Sequence, residues 1–174
     1  KDKENALLQK QIGNEFAASQ QYVAFAVWLE QQALPQLAGR FYAQAVEERN
    51  HALMLVQYLM DREVEVTIPG VPEVRNDIGS VVELGELALE QERRVTGQFE
   101  QIIAAARADG DYLAEQFTHW FLKEQVEEVA AMGTLLQVAK RVGDNLMLLE
   151  DYLVREASPG GPDPTAPTVA GGAL

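Results

Sequence analysis

Apolar residues recur every three or four positions along four long stretches of the chain, and most glycines and prolines lie outside these stretches. This spacing places the apolar side chains on one face of an α-helix. It predicts four helices, over residues 4–31, 35–62, 81–108 and 112–141. Pro35 suits the first position of a helix, and Ser80 and Asp111 suit positions just before one. The pattern therefore predicts an all-α four-helix bundle.

Residues 63–79 break the helical pattern with Pro69, Gly70 and Pro72, so we expect an extended connection. The preceding helix would be about 42 Å long, and about 16 extended residues can span about 50 Å. The connection can therefore return along the whole bundle. This predicts parallel second and third helices joined by one long crossover.

A short fifth helix is predicted over residues 146–156. Its apolar face carries Leu146, Leu149, Tyr152 and Leu153 and has no evident partner in a closed four-helix bundle. We therefore expect this face to be buried between subunits, near a symmetry axis.

Residues 157–174 hold four of the seven prolines and four of the thirteen glycines. Such a composition favours a flexible tail over a packed segment. We therefore predict a helical domain over residues 1–156 and a flexible tail over 157–174. The alternative for the tail is a short segment that docks on another protein shell.

The whole chain has 174 residues, of which 47% are hydrophobic, and a net charge of −13. This is enough apolar material for one globular domain, and the charge argues against a nucleic-acid surface. No apolar run is long enough to predict a membrane span. Without cysteine there is neither a disulfide nor a thiolate ligand for a metal. We expect a cytoplasmic protein.

The sequence AVEERNHAL places Glu48 and His51 three residues apart inside the second predicted helix. Side chains at this spacing lie one turn apart on the same face. A carboxylate and an imidazole so placed can bind one metal ion, and Glu-x-x-His pairs project into the cores of di-iron bundles. The spacing also arises by chance on glutamate-rich helices that carry no metal.

The two halves of the chain share the same spacing of polar residues, which favours the metal site. A shift of 77 residues superposes four residues of the first half on four of the second: Glu15 on Glu92, Glu47 on Glu124, Glu48 on Gln125 and His51 on Glu128. This repetition is typical of two helical hairpins related by a pseudo-twofold axis. Several of these acids fall on apolar stripes, where an unpaired carboxylate is costly and a metal removes the cost.

Tyr22 lies seven residues after Glu15, on the same stripe of the first helix. It is either a core aromatic whose hydroxyl has found a partner or a donor to a metal ligand that also supplies electrons. The spacing alone leaves both interpretations open.

Four segments, EFAASQQYVA, AVEERNHA, ALEQERRV and FLKEQVEEVA, resemble the non-haem ferritins, most closely those of mycobacteria and related actinobacteria. The resemblance covers about residues 7–156. It implies a ferritin-like subunit that assembles into an octahedral shell of 24 copies. It also implies that the protein oxidises Fe(II) with O2 or H2O2 and stores ferric mineral inside the shell.

The resemblance also implies roles for individual residues. The first iron would be bound by Glu15, Glu48 and His51, with Tyr22 nearby. Glu48 and Glu92 would bridge to a second iron near Gln125 and Glu128. A third iron site would use Glu47, Glu124 and Glu127.

The chain departs from the bacterioferritins, one class of bacterial ferritin, in two features. Bacterioferritins carry a second Glu-x-x-His and a haem-ligating methionine, whereas this chain has Gln125 to Glu128 and Arg49 at these positions. No haem is therefore expected.

Oxygen-rich ligation with one histidine suits iron. The alternatives are a di-iron oxygenase or peroxidase of the same fold, which keeps its metal as a cofactor, and an all-helical scaffold with incidental acids.

Overall fold

The computed structural model describes residues 1–156 and 161–174 of the chain. Its helices are α1 (Asp2–Gln31), α2 (Pro35–Asp61), α3 (Val81–Ala108), α4 (Tyr112–Val142) and α5 (Leu146–Glu156). The four long helices and the short fifth helix are thus confirmed, with boundaries close to those predicted. Among the described helices, none is long and apolar enough to cross a membrane.

The structure confirms the predicted starts of α2, α3 and α4. Pro35 is the first residue of α2. The Ser80 hydroxyl accepts a hydrogen bond from the Glu83 backbone N–H at 3.1 Å. The Asp111 carboxylate accepts one from the Ala114 N–H at 3.1 Å. Each side chain satisfies a backbone donor that the first helical turn leaves without a partner.

The connection between α2 and α3 lies along α1. The Thr67 N–H donates to the Gln9 side chain at 3.2 Å, and the Arg75 N–H donates to the Gln21 side chain at 2.8 Å. Between these contacts the chain comes so close to Gly13 that an added Cβ would lie 3.0 Å from Pro69. The segment therefore runs beside α1 and in the same direction, which confirms the long crossover.

A polar layer divides the apolar core into two clusters. One cluster lies near the start of α2 and contains Phe25 and Phe41, and the other lies near its end and contains Leu55 and Phe99. Each long helix has a polar residue that is almost completely buried between the segments that supply the two clusters. These residues are Glu15, Glu48, Glu92 and Gln125, all at most 1% exposed.

The apolar face of α5 is buried within the subunit, contrary to the expectation that it is buried only between subunits. Leu149 and Leu153 belong to the cluster at the start of α2. The Glu150 carboxylate accepts hydrogen bonds from the backbone N–H groups of Gln36 and Leu37 at 3.0 and 2.9 Å. Helix α5 therefore caps the first turn of α2, where backbone donors lack helical partners.

Residues 161–174 pack on the bundle instead of forming the flexible tail predicted from composition. Val169 is 9% exposed within the cluster near the end of α2. The Ala170 N–H donates to the Leu53 carbonyl at 3.1 Å. One apolar side chain and a few hydrogen bonds suffice here because the bundle supplies the rest of the buried surface. The predicted boundary after residue 156 adjoins residues 157–160, which lie outside the described chain.

Candidate metal centre

The polar layer brings three of the predicted ligands together. Glu15 on α1 and Glu48 and His51 on α2 each offer one ligand atom within 4.8 Å of the others, and all three side chains are buried. His51 Nδ1 lies 3.3 Å from a Glu48 oxygen. The Glu-x-x-His spacing thus places both side chains on the core face, as the sequence predicts.

The atoms that face one another in this group are free to bind a cation. Gln11 Nε2 donates to one oxygen of Glu15 at 3.3 Å, and Gln44 Nε2 donates to one oxygen of Glu48 at 2.9 Å. The other oxygen of each carboxylate and His51 Nδ1 are buried without a hydrogen-bond partner in the described chain. Buried polar atoms are rarely left unpaired. A metal ion would satisfy all three.

The second half of the centre is built around Glu92 on α3. The Tyr22 hydroxyl donates to one oxygen of Glu92, and Gln125 Nε2 donates to the other at 2.9 Å. Gln125 Oε1 is buried and has no partner among the described residues. It is therefore a fourth acceptor atom available to a cation. The Tyr22 ring is fully buried and its hydroxyl donates to a predicted ligand, whereas its role as an electron source stays a prediction.

Glu128 lies at the edge of the centre, close enough to Glu47 for each carboxyl group to affect the pKa of the other. Glu124 is half-buried, whereas Glu47 and Glu127 are exposed. The three residues predicted for a third site thus lie where the polar layer meets solvent. The structure does not bring them into the compact group of Glu15, Glu48 and His51.

Without metal, the buried acids other than Glu48 bind protons more strongly than free carboxyl groups do. Burial, aided by the charge of Glu48, raises the pKa of Glu15 and raises that of Glu92 to about 7. Burial and the nearby Glu47 raise the pKa of Glu128 to about 9. A metal ion binds the ionised forms, so metal binding here should release protons.

Glu48 and His51 form an ion pair within this group of acids. Burial favours the neutral form of each, but mutual attraction outweighs it. The pKa of Glu48 falls to about 2, and the pKa of His51 rises above its ordinary value. A metal ion that binds His51 through Nδ1 must displace this proton.

Three residues of the centre escaped the sequence analysis. Gln11 and Gln44 each precede a ligand by four residues, and they are 33 positions apart, as are Glu15 and Glu48. That shared offset could have identified them. Trp120 packs edge-on against the His51 ring at 5.6 Å, and no spacing in the sequence indicates this contact.

Comparisons with known proteins agree with this geometry. The Ferritin family model, described as a ferritin-like domain, matches residues 5–142. Ferritin BfrB of Mycolicibacterium smegmatis is 59% identical over 98% of this chain and 94% of its own length. The bacterial non-heme ferritin of Staphylococcus aureus strain MRSA252 is 34% identical over 83% of this chain and 87% of its own length.

The fold also matches a solved structure. The open pore ferritin of Archaeoglobus fulgidus superposes with a TM-score of 0.86 over 90% of this chain and 98% of its own, at 23% identity. Identity at this level supports the fold only. The extent of the family match and the closer relatives show that the chain belongs to the ferritin family of iron-storage proteins.

Proposed function

We propose that this protein oxidises Fe(II) at the buried centre and stores the ferric product inside a hollow shell of identical subunits. The observation that carries the proposal is the set of buried acceptor atoms left without partners on Glu15, Glu48, His51 and Gln125. Three of them converge on one point. Iron is the substrate here, because it enters as Fe(II) and leaves as mineral.

The first iron binds Glu15, Glu48 and His51, whose free atoms face one another. Glu48 also reaches towards a second iron, together with Glu92, Gln125 and Glu128. Carboxylate and amide oxygens suit a hard cation, and a single imidazole is compatible with Fe(II). Two Fe(II) ions supply two electrons, enough to reduce O2 to H2O2 or H2O2 to water.

Differences between the two halves of the centre support loose binding of the second iron. Gln125 stands where the first half has Glu48, and Glu128 stands where it has His51. A neutral amide attracts a cation less than a carboxylate does. Glu128 also binds a proton strongly, with a pKa of about 9, and this proton competes with the metal. Weak retention suits an ion that is oxidised and then moves on.

Glu47, Glu124 and Glu127 offer a route from the centre. Glu47 lies close to Glu128, and Glu124 and Glu127 on α4 lie where the polar layer meets solvent. Burial and the nearby Glu127 raise the pKa of Glu124, as expected for acids that crowd one another. We assign these three residues to the transit of iron towards the mineral.

Assembly into a shell of 24 subunits is supported by the family and by α5. The face of α5 that points away from the bundle exposes Met147, Leu148 and Val154, each at least half accessible. Apolar residues grouped on one exposed face favour a contact between subunits. Helix α5 therefore has two roles, one within the subunit and one in assembly.

A di-iron oxygenase or peroxidase of the same fold is the competing function. Such an enzyme keeps about two irons per subunit, whereas a storage protein takes up many more. The experiment is aerobic titration of the native assembly with Fe(II), followed by native mass and iron content. Uptake that stops at two irons per subunit, or a subunit that stays monomeric, would contradict storage in a shell.

A further inference from the structure

Two consecutive aromatic residues of α4 enclose the His51 imidazole. The rings of Trp120 and Phe121 both lie 5.6 Å from it, at interplanar angles of 85° and 82°. Phe121 is fully buried in the core, so its position is fixed by packing on several sides. Trp120 is only half-buried, and its position needs another constraint.

That constraint comes from the C-terminal segment, residues 161–174. Trp120 Nε1 donates a hydrogen bond to Asp163 Oδ2 at 3.0 Å. The other Asp163 oxygen accepts from the Thr165 N–H at 2.8 Å and from the Thr165 hydroxyl at 2.6 Å. Hydrogen bonds from Trp120 and Thr165 thus fix both oxygens of the Asp163 carboxylate, independently of any metal ion.

The same segment is anchored on α2 on both sides of His51 along the sequence. The Ala170 N–H donates to the Leu53 carbonyl at 3.1 Å, and the Leu174 N–H donates to the Asn50 side chain at 3.2 Å. Val169, directly before the first anchor, is buried in the apolar cluster near the end of α2. The segment therefore joins α2, which carries His51, to α4, which carries Trp120.

We propose that Asp163 is a positioning residue of the metal centre: it fixes the Trp120 indole, and the indole holds the plane of the His51 imidazole for ligation. The Glu48 carboxylate, 3.3 Å away, attracts His51 Nδ1, and the two aromatic rings restrict rotation of the imidazole. Partners that orient a ligating histidine commonly change metal affinity by about 10- to 100-fold. This inference rests on the metal site proposed above.

The test is anaerobic titration of the assembled full-length protein with Co(II), read from its visible absorption bands, which differ between nitrogen and all-oxygen ligation. Asp163→Leu and Trp120→Phe should each weaken binding at the His51 site by about 3- to 10-fold, less than for a direct partner of the histidine. Both should also shift the bands. Asp163→Asn has one acceptor oxygen, which can accept from the indole N–H or from the Thr165 N–H but not from both, so its affinity should lie between those of the wild type and Asp163→Leu.

Two threonines of the segment provide a matched pair. Thr165 holds the Asp163 carboxylate, whereas Thr168 is exposed and makes no hydrogen bond in the described chain. Thr165→Ala should weaken Co(II) binding in the same direction as Asp163→Leu. Thr168→Ala should bind Co(II) as the wild type does. Native mass of every variant establishes that the shell is intact.

Wild-type affinity and bands in both Asp163→Leu and Trp120→Phe would overturn the positioning role. His51→Ala separates this inference from the proposed function. If His51→Ala also binds Co(II) like the wild type, the metal site itself is wrong.

Discussion

Gln125 gives its side-chain N–H to Glu92 at 2.9 Å and keeps its own carbonyl oxygen without a partner in the described chain. The amide therefore holds one predicted ligand in place and presents a second ligand atom. A carboxylate at this position could not donate to Glu92 when both are ionised. The amide thus lowers the negative charge of the centre while preserving its geometry.

Replacing Gln125 with glutamate should raise the negative charge of the centre. Gln125→Glu places a further carboxylate beside Glu92, so the metal-free protein should melt at a lower temperature at pH 8. The second metal ion should bind more tightly. The matched control is Gln137→Glu, at an exposed position of the same helix. Equal melting temperatures for the two variants would show that Gln125 does not adjoin a charged centre.

The stability of the metal-free protein should fall as pH rises from about 5 to 9. The folded pKa values of Glu92 and Glu128, about 7 and about 9, lie above the ordinary value of 4.5. Their contribution is therefore fully present below pH 4.5 and is lost as pH rises through the folded pKa values. Melting temperatures of the metal-free shell across this range measure the effect.

Glu128→Gln removes one of these titrations. The variant should be more stable than the wild type at pH 9, by roughly 5 kcal/mol per subunit, and the difference should vanish near pH 4.5. Glu100→Gln, at an exposed position of α3, is the control and should not change the pH profile. A Glu128→Gln profile parallel to that of the wild type would contradict the raised pKa.

Two adjacent leucines separate the two roles of α5. Leu149 is fully buried in the subunit, whereas Leu148 is 50% exposed on the outer face. Leu149→Ala should lower the free energy of unfolding by about 2–4 kcal/mol, because it leaves a cavity. Leu148→Ala should leave the isolated subunit unchanged and weaken the shell. Denaturant unfolding and native mass measure the two effects, and equal unfolding energies would contradict the packing of α5.

Most of the bundle could be predicted from the sequence because helical periodicity and capping residues are local signals. The crossover could be predicted because the non-helical connection is long enough to span the preceding helix. The position of α5 could not be predicted, since it depends on Glu150 meeting the backbone of Leu37, 113 residues away. The packing of residues 161–174 could not be predicted for a similar reason. Their composition cannot build a core of its own, but they pack on the core of the bundle.

The placement of the candidate ligands was predictable for the same reason, since Glu48 and His51 are one helical turn apart. Their supporting residues were harder to find. Gln44 is one of many polar residues on these helices, and only the geometry shows that it fixes an oxygen of Glu48. The contact between Trp120 and Asp163 joins positions 43 apart with residues 157–160 between them. No local pattern encodes it.

The acids at the solvent edge should matter only after the first turnover. A triple variant with alanine at Glu47, Glu124 and Glu127 should oxidise its first two irons per subunit at the wild-type rate and later additions more slowly. The reason is that oxidised iron would leave the centre less readily. Stopped-flow oxidation with repeated additions measures both phases.

The control for that triple variant substitutes alanine for three exposed acids of α3, namely Glu86, Glu90 and Glu100. It removes the same charge from another surface. If both triple variants handle later additions equally, Glu47, Glu124 and Glu127 are ordinary surface charges.

The most direct test of the centre is the initial rate of Fe(II) oxidation in air, at two irons per subunit, in Glu48→Ala and His51→Ala. These substitutions remove the free oxygen and nitrogen that face each other in the structure. Both variants should fold and assemble, since Glu48→Ala relieves repulsion between the acids and His51→Ala leaves Glu48 able to take up a proton. Both should lose the fast phase of oxidation. Wild-type rates in assembled Glu48→Ala and His51→Ala would contradict the assignment of these residues as the site of iron oxidation.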